Sequence, residues 1–169
     1  MVILRELMSF LRGRDRVAVI CLGNVLMGDD GAALELCKLL RGEVKGCDIY
    51  EAYQAPEAIL PSITGRPYSH VIIVDAADMG LRPGEVRVIK EKEVINEGTL
   101  VTTHYLPLPS IINLLKESGK EVLVVGIQPK EIKLGGRVSG EVLKGVESLA
   151  RTLRKALSLT YNNGKEGWG

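Results

Sequence analysis

RVAVICLGNVLMGDDGAALELCKLL, residues 16–40, holds the strand, turn and helix from which the rest of the chain can be placed. Val17 to Leu22 is a nearly continuous apolar run, as expected of a strand buried on both faces. Gly23-Asn24 break it, a loop follows over residues 25–28, and Asp29-Asp30-Gly31 open a segment in which Ala33, Leu36, Cys37 and Leu40 recur at helical spacing. Two carboxylates therefore stand at the carboxyl end of a central strand, the edge where open α/β sheets bind ligands. Helix capping and the helix dipole account for one aspartate; a second in succession is left to point into a cleft. GNVLMG matches neither GxGxxG nor GxxxxGK followed by Ser or Thr, and paired acids would repel a pyrophosphate, which argues against a nucleotide site.

Outward from this unit, Ile3, Leu4, Leu7, Met8 and Leu11 give a short amphipathic helix closed by Gly13. Cys47 to Tyr53 reads as a second strand, completing a βαβ unit with a right-handed crossover. Pro56 starts a short helical segment that Pro61 and Gly65 interrupt and end. His70 to Ala76 is a third buried strand, and it ends in an acid, Asp75, with Asp78 in the loop beyond. Glu85 to Lys90 alternates like a half-exposed strand. It follows too closely for a parallel crossover, which makes it an antiparallel edge strand. A helix over Pro109 to Glu117, a last core strand over Glu121 to Ile127 and a long amphipathic helix with Ser139 as N-cap complete the chain. The polar, glycine-rich end from about residue 160 is expected to fray. The expected fold is a single α/β domain over residues 1–169. It is a three-layer sandwich with a twisted, mostly parallel sheet of about five strands, one antiparallel edge strand, and helices on both faces.

Composition narrows the functions. The 169 residues are 46% hydrophobic, and 22 Lys and Arg balance 21 Asp and Glu to a net charge of +1. Neither a nucleic-acid nor an anionic-membrane surface is indicated, and 4% aromatic content leaves few stacking platforms for single strands. No apolar run reaches the length of a bilayer span, and Met1 to Arg14 carries charges inside its apolar pattern instead of a signal-peptide core. A cytoplasmic monomer is expected. Cys21, Cys37 and Cys47 form no CxxC, and in that compartment they read as small buried hydrophobes, neither bridged nor bound to zinc.

Asp30, Asp75 and His104 are the candidates for a chemistry-bearing set, against the plainer readings of Asp75 as an acceptor for loop amides and His104 as a surface or capping histidine. His104 follows two threonines ahead of a helix, whereas His70 merely begins a strand. Two carboxylates and an imidazole on separate loops at one sheet edge suit a borderline divalent ion and leave coordination positions open. Such an ion polarises a carbonyl and activates water, so amide hydrolysis is natural chemistry for the set. A serine or cysteine nucleophile is less well supported: there is no GxSxG elbow, no cysteine near His104, and no HExxH.

GNVLMGDDGAA (23–33), VDAADMGLRPGEVRVI (74–89), TTHYLPL (102–108) and GIQP (126–129) occur in this order. In order and approximate spacing they resemble the nickel-iron hydrogenase maturation endopeptidases, in particular the subgroup that processes formate-hydrogenlyase and related membrane-bound hydrogenases. The resemblance covers Val17 to about Leu157. It implies a twisted sheet between helices and an endopeptidase that removes a C-terminal extension from the hydrogenase large-subunit precursor after nickel insertion. It implies metal contacts at Asp30, Asp75 and His104, with nickel arriving on the substrate instead of being held tightly by the enzyme. Asp29 is then a helix cap or a support for these residues, and Asn24, Asp78, Thr103 and Gln128 line or support the cleft. The chain departs from the family pattern at Tyr53-Gln54-Ala55-Pro56-Glu57, where glycines often precede the APE-like sequence, and over Lys130 to Arg137. Two other readings remain: a non-catalytic, nickel-dependent checkpoint for the same large subunit, and a peptidyl-tRNA or nucleoside hydrolase on a related scaffold. The near-zero net charge counts against tRNA.

Overall fold

Five strands form one mixed sheet in the computed structural model, which describes residues 2–42, 44–95 and 108–161. They are β1 (Arg16–Leu22), β2 (Cys47–Tyr53), β3 (Tyr68–Ala76), β4 (Val86–Ile89) and β5 (Glu121–Ile127), in the order β2-β1-β3-β5-β4. The pairs β1–β2, β1–β3 and β3–β5 are parallel; β4 runs antiparallel to β5 at the edge, as the short connection from β3 demands. The helices are α1 (Val2–Phe10), α2 (Ala32–Leu40), α3 (Leu60–Thr64), α4 (Glu91–Ile95), α5 (Leu108–Glu117) and α6 (Gly140–Thr160). None among the described residues is long and apolar enough to cross a membrane.

Alternation along β1 divides the core. Val17, Val19 and Cys21 pack under α1, α2 and α6, while Ala18, Ile20 and Leu22 pack on the other face with residues of α3, α4 and α5. Both faces of β1 are therefore dry, which is why its sequence reads as continuous apolar residues instead of an alternating pattern. Each fully buried leucine or isoleucine of these two layers contributes about 2–3 kcal/mol of transfer free energy. The layer beneath α6 fixes where that helix begins, and its beginning touches the site described below.

The structure corrects the reading of the cysteines. Cys21 and Cys37 are joined in a disulfide across 16 residues, with Cα atoms 6.3 Å apart, and Cys47 is free and buried. The expectation of reduced cysteines rested on count and compartment. The fold overrides it because α2 turns directly back over the strand that precedes it, setting a β1 side chain against a helix side chain. The expected fraying beyond residue 161 concerns residues outside those described, and so do the roles expected of Thr103 and His104.

Candidate active site

β1 is followed in the chain by β2 on one side and has β3 on its other side, so the direction of winding reverses between β1 and β3. The carboxyl edge beside such a reversal is an open crevice, the usual ligand site of doubly wound sheets. The pairing of β1 with β3 ends at Cys21 and Val74, and Asp75 is the next residue of β3, opposite Gly126 of β5. Past the end of β1, Gly23 takes φ of +146° and donates its N–H to the Tyr53 carbonyl at 2.9 Å. A Cβ at Gly23 would lie 2.0 Å from the Asp30 carbonyl oxygen, so only glycine permits the chain to fold back this tightly. The return brings a 3-10 turn, Gly28–Gly31, against β3. Asp30 and Asp75 are thereby placed at one edge of the sheet, only 3% and 4% exposed. Asn24 donates its backbone N–H to Asp30 Oδ2 at 3.0 Å, fixing that carboxylate toward the strand end.

Of the two roles expected of Asp29, cap or support, the structure rules out the cap. Neither aspartate caps α2, whose N-cap is Gly31 and carries no side-chain cap. Asp29 Oδ2 instead accepts the backbone N–H groups of Lys130 at 2.8 Å and Glu131 at 2.9 Å and the Ser139 hydroxyl at 2.9 Å, while Oδ1 accepts the Ser139 N–H at 2.6 Å. The Asp29 N–H in turn donates to the Glu131 carbonyl at 3.0 Å. Burial works to raise the pKa of this carboxyl, but the amides of Ser139, Glu131 and Lys130 outweigh it and hold the group below the ordinary carboxylate range. The capping reading of Asp29 is thus corrected: it is a tie between the 3-10 turn and the segment leading into α6. Ser139 does occupy the N-cap position of α6, but its hydroxyl is spent on Asp29 and not on its own helix.

Gln128 is a second tie. Its Oε1 accepts the N–H groups of Met79 at 2.7 Å and Leu81 at 3.2 Å, and its Nε2 donates to Asp78 Oδ1 at 3.2 Å. Asp78 also receives the Gly80 N–H at 3.3 Å, so it shapes its own loop. Asn24 does likewise, accepting the Leu26 N–H at 2.9 Å on Oδ1. Asn24 and Asp78 thus shape their own loops, and Gln128 ties the loop after β3 to the end of β5. His70 lies elsewhere: it is buried at the opposite end of β3, its Nδ1 2.7 Å from Ser69 Oγ and its ring edge-on to Phe10, with burial lowering its pKa. His104 and Thr103 fall outside the described residues. Sequence reading missed Ser139 and the amides of residues 130 and 131 as supports of the site, because nothing local marks a partner that distant.

Asp30 and Asp75 bring two carboxylates to this edge, fewer donors than a protein needs to hold an ion by itself. Among the described residues no three His, Cys, Asp or Glu side chains gather into a group that could hold an ion by themselves.

Known proteins share this fold and a substantial part of its sequence. The family model described as HycI, hydrogenase maturation protease, matches residues 35–156. The hydrogenase 3 maturation protease of Escherichia coli is 36% identical over 136 residues, covering 80% of this chain and 86% of that protein. A putative hydrogenase maturation protease of Methanocaldococcus jannaschii is 32% identical over 157 residues, covering 87% and 91%. In three dimensions, the NiFe hydrogenase maturation protease HycI from Thermococcus kodakarensis KOD1 matches with a TM-score of 0.81 at 25% identity, covering 90% of this chain and 99% of that one. The endopeptidase HycI from Escherichia coli matches with a TM-score of 0.75 at 33% identity, covering 83% and 90%.

Proposed function

We propose, from the premise that this chain belongs to the hydrogenase maturation protease family and is an endopeptidase of that kind, that it removes the C-terminal extension of a nickel-iron hydrogenase large-subunit precursor. The nickel already inserted in the precursor is what the enzyme recognises, and the work is done by a monomer in the cytoplasm. The observation that carries this reading is the placement of Asp30 and Asp75 at one sheet edge, both buried and flanking the β1–β3 reversal.

Asp30, Asp75 and His104 contact the nickel borne by the substrate. Two carboxylates and an imidazole, without a thiolate, complete the coordination of an ion held by another protein more readily than they hold one alone. Docking on the ion brings one peptide bond of the precursor beside the carboxylates. Water, deprotonated by a carboxylate, adds through oxygen to the scissile carbonyl carbon, the C–N bond breaks, and the departing amine takes a proton. In this reading nickel is required because contact with the ion is what aligns the scissile bond beside Asp30 and Asp75.

The test is incubation of the purified precursor, nickel-loaded and nickel-free, with the wild-type enzyme and mass determination of both products. Release of a single C-terminal peptide from the loaded form alone is expected. Tight binding of the loaded precursor without cleavage would favour a non-catalytic checkpoint instead.

A further inference from the structure

The loop that delivers Asp29 and Asp30 does not lie alone. Residues 25–28 pack against residues 131–136. The Gly135 N–H donates to the Leu26 carbonyl at 2.8 Å, the Asp29 N–H to the Glu131 carbonyl at 3.0 Å, and a Cβ at Gly28 would meet the Glu131 oxygen at 2.9 Å. The Asp29 carboxylate closes the inner end of this seam on Lys130, Glu131 and Ser139. Two loops far apart in sequence are therefore one surface.

That surface is apolar where solvent meets it. Leu26 is 64% and Leu134 74% exposed, and Val25 and Ile132 are exposed beside them. Ordinary turn residues would be polar, and the hydrogen bonds that hold the seam are all made by backbone and by Asp29, so these four side chains contribute nothing to its closure. A concentration of large exposed aliphatics at one place, unlike the single exposed leucines Leu39, Leu114 and Leu159, marks an interaction site. The outer loop carries Lys130, Lys133 and Arg137 against Glu131, and Lys130 is paired with Glu141 at 3.1 Å, so Lys133 and Arg137 leave the rim one positive charge in excess.

We propose that Val25, Leu26, Ile132 and Leu134 form the docking surface for the folded protein substrate, an apolar face bordered by acidic residues on the precursor. The inference rests on the endopeptidase reading above and extends it from the scissile bond to the body of the substrate. Continuity with the crevice selects this occupant: the same loop presents Leu26 outward and holds Asp30 through Asn24 inward, so a protein whose peptide enters the crevice must lie across it. The positive rim selects the charge of the partner.

The test uses the full chain and the nickel-loaded precursor. Leu26→Ser combined with Leu134→Ser is compared with Leu159→Ser, which removes an exposed leucine on α6 away from the seam. The double variant should raise KM by about tenfold or more, the change carried in KM rather than kcat, because a tenfold change needs only the modest energy of a central apolar contact. Leu159→Ser should leave KM unchanged, and raised salt should weaken wild-type binding more than it weakens kcat. An unchanged KM in the double variant, with wild-type processing intact, overturns the docking surface while leaving the endopeptidase reading in place. A wild-type dimer that becomes a monomer in the double variant assigns the patch to a second copy and also overturns it. Failure of wild type to process the precursor overturns the functional reading, and the docking proposal falls with it.

Discussion

The carboxylate of Asp29 accepts the backbone N–H of Ser139 at 2.6 Å, a bond between residues 110 positions apart. It joins the turn after the first strand to the start of the last helix, and Asp30 is the next residue along. The geometry of the site is thus held by a part of the chain that contributes no carboxylate or imidazole to the proposed chemistry.

Replacing Asp29 should therefore cost stability as well as activity. Asp29→Ala leaves three backbone donors and a hydroxyl facing a buried void, a loss of about 3 kcal/mol, which corresponds to a fall in Tm of about 6–12 °C for a chain of this size. The effect is pH-dependent. Because the folded-state pKa of Asp29 is depressed, its stabilisation is fully present above the ordinary carboxylate value of about 3.9 and disappears as pH falls through the lower folded value. Thermal unfolding of wild type and Asp29→Asn should show a Tm gap at neutral pH that narrows below about pH 4.

Gly23→Ala should remove activity out of proportion to its size. The added Cβ would stand 2.0 Å from the Asp30 carbonyl oxygen at φ of +146°. The 3-10 turn has to move, and Asp30 moves with it. Processing is expected to fall by about 10²-fold or more, since displacements near 1 Å at a reacting centre have that effect. Gly13→Ala is the control: it carries the strain of a positive φ (+71°) but its Cβ would meet nothing, so it should cost stability without displacing Asp30.

The disulfide between Cys21 and Cys37 should be measurable as both a thiol count and a stability increment. Unfolding without reductant should expose one titratable thiol, that of Cys47. Closing 16 residues is worth about 3 kcal/mol in the chain-entropy description, so reductant should lower Tm by about 6–12 °C. Three thiols in the unreduced protein would contradict the bridge.

Gln128→Leu should loosen the loop after the third strand, because it removes the acceptor of the Met79 and Leu81 N–H groups and the donor to Asp78. A cost of about 2 kcal/mol is expected, together with earlier proteolytic nicking near Gly80 than in wild type.

What was legible in the sequence follows from how local its cause is. The buried run of β1, the bounds of β2 and β5, and the antiparallel edge placement of β4 depend on hydrophobic pattern and connection length, which are properties of neighbouring residues. Asp75 was legible because it ends the apolar run of β3, and Asp30 because it stands just before a helix after the loop that follows β1; neighbouring parallel strands bring both to one sheet edge. The Cys21–Cys37 bridge was not, since spacing alone cannot say that α2 folds back over β1. Nor were the partners of Asp29: an aspartate before a helix reads as a cap, and only the packed fold shows that Lys130, Glu131 and Ser139 reach it first. The short helix Glu91–Ile95 has too few residues to display a period.

The most direct test of the proposed chemistry compares wild type with Asp30→Asn and Asp75→Asn on the nickel-loaded precursor, measuring peptide release and precursor binding side by side. Each substitution keeps the size of the side chain while removing its charge. Release of the C-terminal peptide is expected to fall by about 10²- to 10⁴-fold in both variants, the range lost with a general base, while their Tm stays near that of wild type. Peptide release at a near wild-type rate by either variant would contradict the assignment of the two carboxylates to the reaction.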